Sequence, residues 1–169
     1  MRGASKAKRI AYLSVITALA MVLSYLESLF PPLVAVPGVK VGLANIAVVF
    51  ALYKLGFSQA CTVSVLRVFL VSVLFGSAVS LSYSGAGAVV SLLGMFFLKR
   101  TGVFSVPAVS ISGAVLHNLA QTAIACIMLD TSVLKYYIPV LLLTGIAAGV
   151  VIGLVAAVLI ERVDVQWEQ

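Results

Sequence analysis

The sequence predicts an all-α integral membrane protein, a six-transmembrane-helix bundle with both termini in the cytoplasm. Of its 169 residues, 63% are hydrophobic and 9% are charged, a composition unlike that of soluble domains. Long apolar runs recur from Ile10 onward and lack the alternation of a membrane β-barrel. Because lipid offers the backbone no hydrogen-bond partner, these runs are expected to cross the membrane as helices. We therefore predict a multi-pass protein of the bacterial-type cytoplasmic membrane.

Six spans are predicted within a single domain, residues 1–169. They lie at about 10–30, 41–54, 58–76, 85–98, 106–129 and 137–160.

The distribution of lysine and arginine predicts the orientation of these spans. Most of the basic residues fall in the connections on one side, whereas only Lys40 and Lys135 fall on the other. The positive-inside rule then places both termini in the cytoplasm, which agrees with an even number of spans. Because the net charge of +6 is spread over short patches and forms no single basic face, a nucleic-acid partner is not expected.

The second and fourth spans are predicted to be short, with about 14 apolar residues each, or ~21 Å of helix against a hydrocarbon core of ~30 Å. The proline-broken segment PPLVAVPGVK precedes the second span, and the glycine-rich SYSGAGA precedes the fourth. Short spans interrupted by glycine or proline at corresponding positions are typical of transporter binding sites.

A weak internal repeat relates these two regions. Each unit has a short helix, a basic turn, a glycine, a Phe-Ser pair and a long span. The alignment matches Leu66-Arg67 with Leu116-His117, so Arg67 and His117 are predicted to lie at a similar depth in the membrane.

Arg67 lies near the middle of the third span, and Ser64 is predicted on the same face one turn earlier. A charge at this depth costs several kcal/mol unless it faces a cavity or a partner. Two interpretations stay open: a ligand-binding arginine, or a structural one satisfied by helix-end carbonyls and asparagine side chains. The nearest acids, Glu27 and Asp130, lie near the outer ends of their spans.

His117 is the only histidine of the chain and stands in the oily segment SGAVLHNLAQTAIA. It continues a stripe of Ser110, Gly113 and Gln121 at helical spacing, and Asn118 lies about 100° further round the helix. The stripe predicts either interhelical hydrogen bonding or the wall of a polar pocket. A single histidine without further ligands at metal-binding spacing argues against a metal site.

The candidate ligand-binding residues are polar side chains concentrated in the outer half of the membrane. They are Glu27, Lys40, Asn45, Ser64, Arg67, His117, Asn118 and Gln121. Their position predicts a pocket that opens outward and offers positive charge to a carboxylate, a phosphate or a polarised carbonyl. Alternatively, Glu27 pairs with Lys40 at the surface. Catalytic motifs are absent from the sequence.

The first span carries a ridge of small residues at spacings of three and four. The ridge comprises Ala7, Ala11, Ser14 and Ala18 and continues to Val22. Such a ridge allows close approach of another membrane helix, from a partner subunit or from the same chain.

Four segments, PGVKVGLANI, LRVFLVSVLFGS, LSYSGAGAVVSLLG and GAVLHNLAQ, resemble in this order the signature of the Gx transporter family. That family is also labelled heptaprenyl diphosphate synthase component I, and the resemblance covers about residues 10–160. Its members resemble the substrate-binding S components of energy-coupling factor (ECF) transporters. The resemblance implies six helices, an outward-facing pocket and a small-residue surface on the first helix for an energising partner.

The synthase label conflicts with the composition. Prenyl transfer needs aspartate clusters that hold magnesium and diphosphate, and the chain has two aspartates, Asp130 and Asp164. We therefore expect no enzymatic activity. Some relatives are associated with flavin-based extracellular electron transfer, which implies an alternative role with a quinone or a flavin, although no cofactor ligand is evident in the sequence.

The leading hypothesis is a substrate-binding membrane subunit that contacts the lipid bilayer, a small-molecule ligand and a membrane partner. The partner is needed because the sequence shows neither a nucleotide-binding motif nor an acid pair for proton coupling. The alternatives are a redox subunit for quinone or flavin and a structural membrane anchor without a ligand.

Overall fold

A computed structural model describes residues 2–29, 42–128, 130 and 133–165. Within these residues the chain forms six α-helices, and a 3₁₀ turn at Val133–Tyr137 precedes the last of them. The helices are α1 Arg2–Leu29, α2 Asn45–Lys54, α3 Phe57–Phe75, α4 Ala78–Thr101, α5 Val106–Met128 and α6 Ile138–Arg162.

Five of these helices, all except α2, are long and apolar enough to cross a membrane. The predicted all-α, multi-pass membrane fold is thus confirmed. The predicted count of six complete spans is not confirmed, because α2 has 10 residues, or ~15 Å of helix, which is about half the thickness of a hydrocarbon core.

The fourth span is longer than predicted. Its predicted range was 85–98, whereas α4 runs from Ala78 to Thr101 and includes the glycine-rich segment. A capping box between Ser77 and Ser80 satisfies free N–H groups and lets the helix begin seven residues before the predicted start. The prediction of a short fourth span was therefore wrong, because the cap at Ser77 and the membrane surroundings support a helix through the glycine-rich segment.

The remaining bounds follow the prediction closely except at the starts of α1 and α2; α2 begins at Asn45, four residues after the predicted residue 41. Helices α3, α5 and α6 begin and end within two residues of the predicted spans. Helix α1 begins at Arg2 instead of residue 10, because the alanine- and lysine-containing start of the chain favours helix beyond the apolar run.

The buried centre of the bundle is α2. Its Val48, Val49 and Leu52 are almost completely buried and belong to one hydrophobic cluster with Val63 of α3. Helix α2 packs against α1, α3 and α6, and α5 packs between α4 and α6. A short helix in this position is shielded by its neighbours over most of its length.

Close packing of α6 on α5 depends on glycines at intervals of four residues. A Cβ atom on Gly149 would lie 2.6 Å from Cα of Ile111, and one on Gly153 would lie 2.5 Å from Cα of Pro107. These distances are too short for any side chain, so the two backbones are in direct contact.

The C-terminal end of α2 is stabilised by a lysine of α4. Lys99 Nζ donates a 2.7 Å hydrogen bond to the carbonyl oxygen of Leu52 and lies 4.9 Å from the centre of the Tyr53 ring. The turns that follow α2 and α4 contain Gly56 and Gly102, with φ of 104° and 70°. A positive φ is strained for other residues, but the two turns differ: Gly102 is a left-handed cap at the end of α4, whereas Gly56 has ψ of 175° and precedes α3.

Candidate ligand-binding cavity

A polar cavity of about 120 Å³ lies where α1 ends, α2 begins and α3 turns into α4. This is the end of the bundle that the distribution of basic residues predicts to face outward. All six helices contribute to its wall. Examples, one from each helix in order, are Glu27, Asn45, Arg67, Ser80, His117 and Gly145. The space exceeds what one water molecule needs, which is about 10–15 Å³ on this measure.

Arg67 is the one arginine or lysine side chain in the described wall. Its Nε is buried and has no hydrogen-bond partner among the described residues. The Glu27 carboxylate is near enough to attract its guanidinium. An arginine has five N–H donors in a fixed fork, so a buried one with an unpartnered Nε favours a group that accepts hydrogen bonds.

Glu27 also positions the start of α2. Its carboxylate accepts a hydrogen bond from the backbone N–H of Gly42. Gly42 has φ of 82°, a conformation that glycine adopts without strain. Glu27 therefore joins α1 to the residue that leads into α2, while it partly offsets the charge of Arg67.

His117 faces α4 at a point where that helix has no side chain. A Cβ atom on Gly87 would lie 3.0 Å from His117 Nδ1 and 3.0 Å from its carbonyl oxygen. The side chain of Gln121, one turn further along α5, is hydrogen-bonded to His117. The ring also lies within hydrogen-bonding reach of the Gly87 backbone, while Nδ1 is buried and makes no hydrogen bond of acceptable geometry in the part of the chain that the structure describes.

Asn118 has a partner of its own. Its Nδ2 donates a 2.9 Å hydrogen bond to the carbonyl oxygen of Leu141 on α6. This contact ties α5 to α6 beside the cavity, which matches the interhelical interpretation. Because Asn118 also lines the cavity, the two interpretations of this residue are compatible.

The first turn of α2 points its positive end towards the cavity. Asn45, the first residue of α2, is part of the wall, and Ala44 before it offers no side-chain cap. The start of a helix carries a partial positive charge of about half an elementary charge. A half-length helix whose N-terminus lies at a polar site is a recurrent way to hold anionic groups within membranes.

The structure brings together six of the eight candidate residues. They are Glu27, Asn45, Arg67, His117, Asn118 and Gln121. Ser64 is not part of this wall; it is buried and lines a separate groove between α3 and α4. Side chains three residues apart on a helix point about 60° apart, which is enough to place Ser64 and Arg67 in different compartments. Lys40 lies outside the described residues.

Sequence reasoning missed several polar residues of the wall. They are Ser24, Ser72, Ser80, Tyr83 and Ser84. The available signal was the helical spacing of Ser80, Ser84 and Gly87, which lie along one face of α4 once SYSGAGA is taken as helix. Among the described residues, no group of three or more histidine, cysteine or acidic side chains is placed to hold a metal ion.

The small-residue ridge of α1 lies on the outside of the bundle. Ala7, Ala11, Ser14 and Ala18 are all exposed, as is Val22. Within the described chain the alternative of intramolecular packing therefore does not apply to this ridge.

The fold and the cavity define a class of protein: a multi-pass helical membrane protein with a buried polar site at one end of its bundle. Residues 16–159 match the family model described as heptaprenyl diphosphate synthase component I. The chain belongs to that family, which confirms the resemblance of the four sequence segments. No curated protein and no solved structure matches the chain.

Proposed function

We propose that this chain is the substrate-binding membrane subunit of an ECF-like small-molecule uptake system, and that it captures an anionic or carbonyl-bearing ligand from outside. The observation that carries the proposal is the pair of buried polar atoms without described partners, Arg67 Nε and His117 Nδ1, in one cavity. Unpaired buried polar groups cost about 1–3 kcal/mol each, and a ligand that supplies hydrogen-bond acceptors removes that cost.

The charge distribution favours the same ligand class. The guanidinium of Arg67 and the start of α2 are both positive, and Glu27 is the one acid in the described wall. A carboxylate or phosphate can replace Glu27 in part as the counterion of Arg67. A polarised carbonyl can use the same donors with less electrostatic gain.

A partner subunit supplies the energy in this proposal. The exposed ridge Ala7, Ala11, Ser14 and Ala18 is the surface on which that partner docks. Prenyl transfer is not part of the proposal, because neither Asp130 nor Asp164 contributes to the cavity wall.

The test is native mass spectrometry of the purified protein in lipid nanodiscs, with identification of co-purified small molecules. We expect an anionic or carbonyl-bearing metabolite in the wild type and its loss in Arg67→Gln. The matched control is Arg100→Gln, which removes an exposed arginine at the other end of α4 and is expected to keep the ligand.

A bound flavin or quinone would replace the uptake role with the redox alternative, and visible absorption detects it in the same sample. Wild-type protein that holds no ligand, or a ligand that Arg67→Gln retains while folding normally, would contradict the proposal. If Arg67→Gln does not fold, Arg67→Lys takes its place. This variant keeps the charge but not the fork of donors, and its ligand content is compared with that of the wild type.

A further inference from the structure

A second hollow in the bundle lies between α3 and α4 and measures about 270 Å³. The surface it exposes is almost wholly apolar. Its lining includes Cys61, Ser64, Phe69, Gly85, Ala88 and Leu92. The side chains at its edges, such as Val65 and Val89, are more than half exposed, so the groove opens sideways onto the surface that faces lipid.

This groove and the polar cavity share a wall. On α3, Arg67 and Val71 line the cavity, Val65 lines the groove, and Val68 lines both. Val68 is 8% exposed, so the two hollows meet inside the bundle at this side chain and not at the outer surface.

Helix α4 continues the same division. Ser80 and Ser84 line the cavity, whereas Leu81 and Gly85, the next residue in each case, line the groove. One turn of α3 and one of α4 therefore carry the polar site on one side and the apolar groove on the other.

The groove is a gap in the packing of α3 against α4. A Cβ atom on Gly85 would meet no atom within 4 Å, whereas other glycines of the bundle, such as Gly94 and Gly113, are in close contact with side chains of neighbouring helices. An apolar gap beside a polar cavity fits a ligand with both kinds of surface.

We propose that the ligand is an amphiphile whose anionic head occupies the polar cavity and whose apolar tail passes Val68 into the groove between α3 and α4. The inference rests on the proposed function and adds the tail to it. The head meets Arg67, His117 and the start of α2, while the tail lies against side chains that offer no hydrogen bonds.

The experiment measures equilibrium binding of matched probes to the protein in nanodiscs, with empty nanodiscs subtracted for partition into lipid. Ethyl phosphate presents the head alone, n-decyl phosphate presents head and tail, and n-decanol presents the tail alone. The same comparison with propionate and n-dodecanoate covers a carboxylate head.

Two variants distinguish binding in the groove from binding in the polar cavity. Gly85→Leu fills the groove, where the structure leaves open space, and leucine favours helix more than glycine does. Ala147→Leu is the control, because it adds the same side chain to an exposed position of α6 that contributes to neither hollow.

We expect n-decyl phosphate to bind at least tenfold more tightly than ethyl phosphate, or n-dodecanoate at least tenfold more tightly than propionate. We expect n-decanol not to compete with the long anions. Gly85→Leu is expected to weaken the long probe at least tenfold and to leave the short probe unchanged, whereas Ala147→Leu changes neither.

Three results would overturn the inference. In the first, the short probes bind in a way that depends on Arg67 while Gly85→Leu has no effect on n-decyl phosphate or n-dodecanoate. This result would support the proposed function and contradict the tail site. If n-decanol competes as well as the long anions, the groove holds ordinary lipid chains. If neither pair of anions binds the wild type, the proposed anion site itself is wrong.

Discussion

Gly149 of α6 lies against the backbone of Ile111 of α5 so closely that a Cβ atom at position 149 would stand 2.6 Å from Ile111 Cα. The contact lies next to the cavity, whose wall includes Ala148 and Ala114 of the same two helices. The absence of a side chain at position 149 therefore lets α5 and α6 approach closely beside the cavity.

We expect Gly149→Val to force these helices apart. Overpacking of a tight contact costs about 1–3 kcal/mol, and the measurement is the free energy of unfolding in mixed micelles. Gly85→Ala is the control, because no atom lies within 4 Å of its new Cβ and alanine favours helix. Equal stabilities for Gly149→Val and wild type would show that the α5–α6 contact is not tight.

Lys99 is expected to stabilise the buried end of α2. Lys99→Met removes the hydrogen bond to the Leu52 carbonyl and the contact with the Tyr53 ring, while it keeps most of the side-chain volume. We expect the free energy of unfolding to fall by about 1–2 kcal/mol. Arg100→Met, at the exposed neighbouring position, should change it little; a similar loss in both variants would instead indicate a general effect of positive charge at this end of the bundle.

Asn118 is expected to act on stability as well as on the cavity. Asn118→Ala removes the donor to the Leu141 carbonyl, and hydrogen bonds between membrane helices contribute about 0.5–1.5 kcal/mol. The free energy of unfolding of Asn118→Ala is compared with that of Leu119→Ala, which truncates the adjacent exposed side chain. An unchanged stability in Asn118→Ala would contradict the interhelical role of this asparagine.

Glu27 is expected to weaken the binding of anions. Glu27→Gln keeps an oxygen that can accept the hydrogen bond of Gly42 but removes the negative charge near Arg67. Loss of that repulsion should tighten binding of the anionic probe by about threefold to tenfold, as expected for nearby charges in a partly polar medium. Equilibrium binding in nanodiscs measures the change.

The control for this substitution is Glu161→Gln, at an exposed site near the end of α6, which should leave the affinity unchanged. Weaker binding in Glu27→Gln would show that the carboxylate accepts a hydrogen bond from the ligand, and the ligand would then carry a donor as well.

Most helix positions followed from hydrophobicity, because the membrane requires long apolar runs to be helical. The error at α4 came from local composition. The serines and glycines of SYSGAGA are poor helix formers in water, yet here Ser77 caps the helix and Gly87 makes room for His117. Tertiary contact outweighs intrinsic propensity in such a segment.

The sequence by itself determined the class of the protein and the place of its main spans, because hydrophobicity acts along one chain. Only the tertiary structure decided which polar residues meet. Ser64 and Arg67 are one turn apart, yet Val68 and the position of α4 separate them into an apolar groove and a polar cavity. Which side of a helix faces which neighbour depends on contacts between distant segments, and those contacts are set by packing of all six helices together.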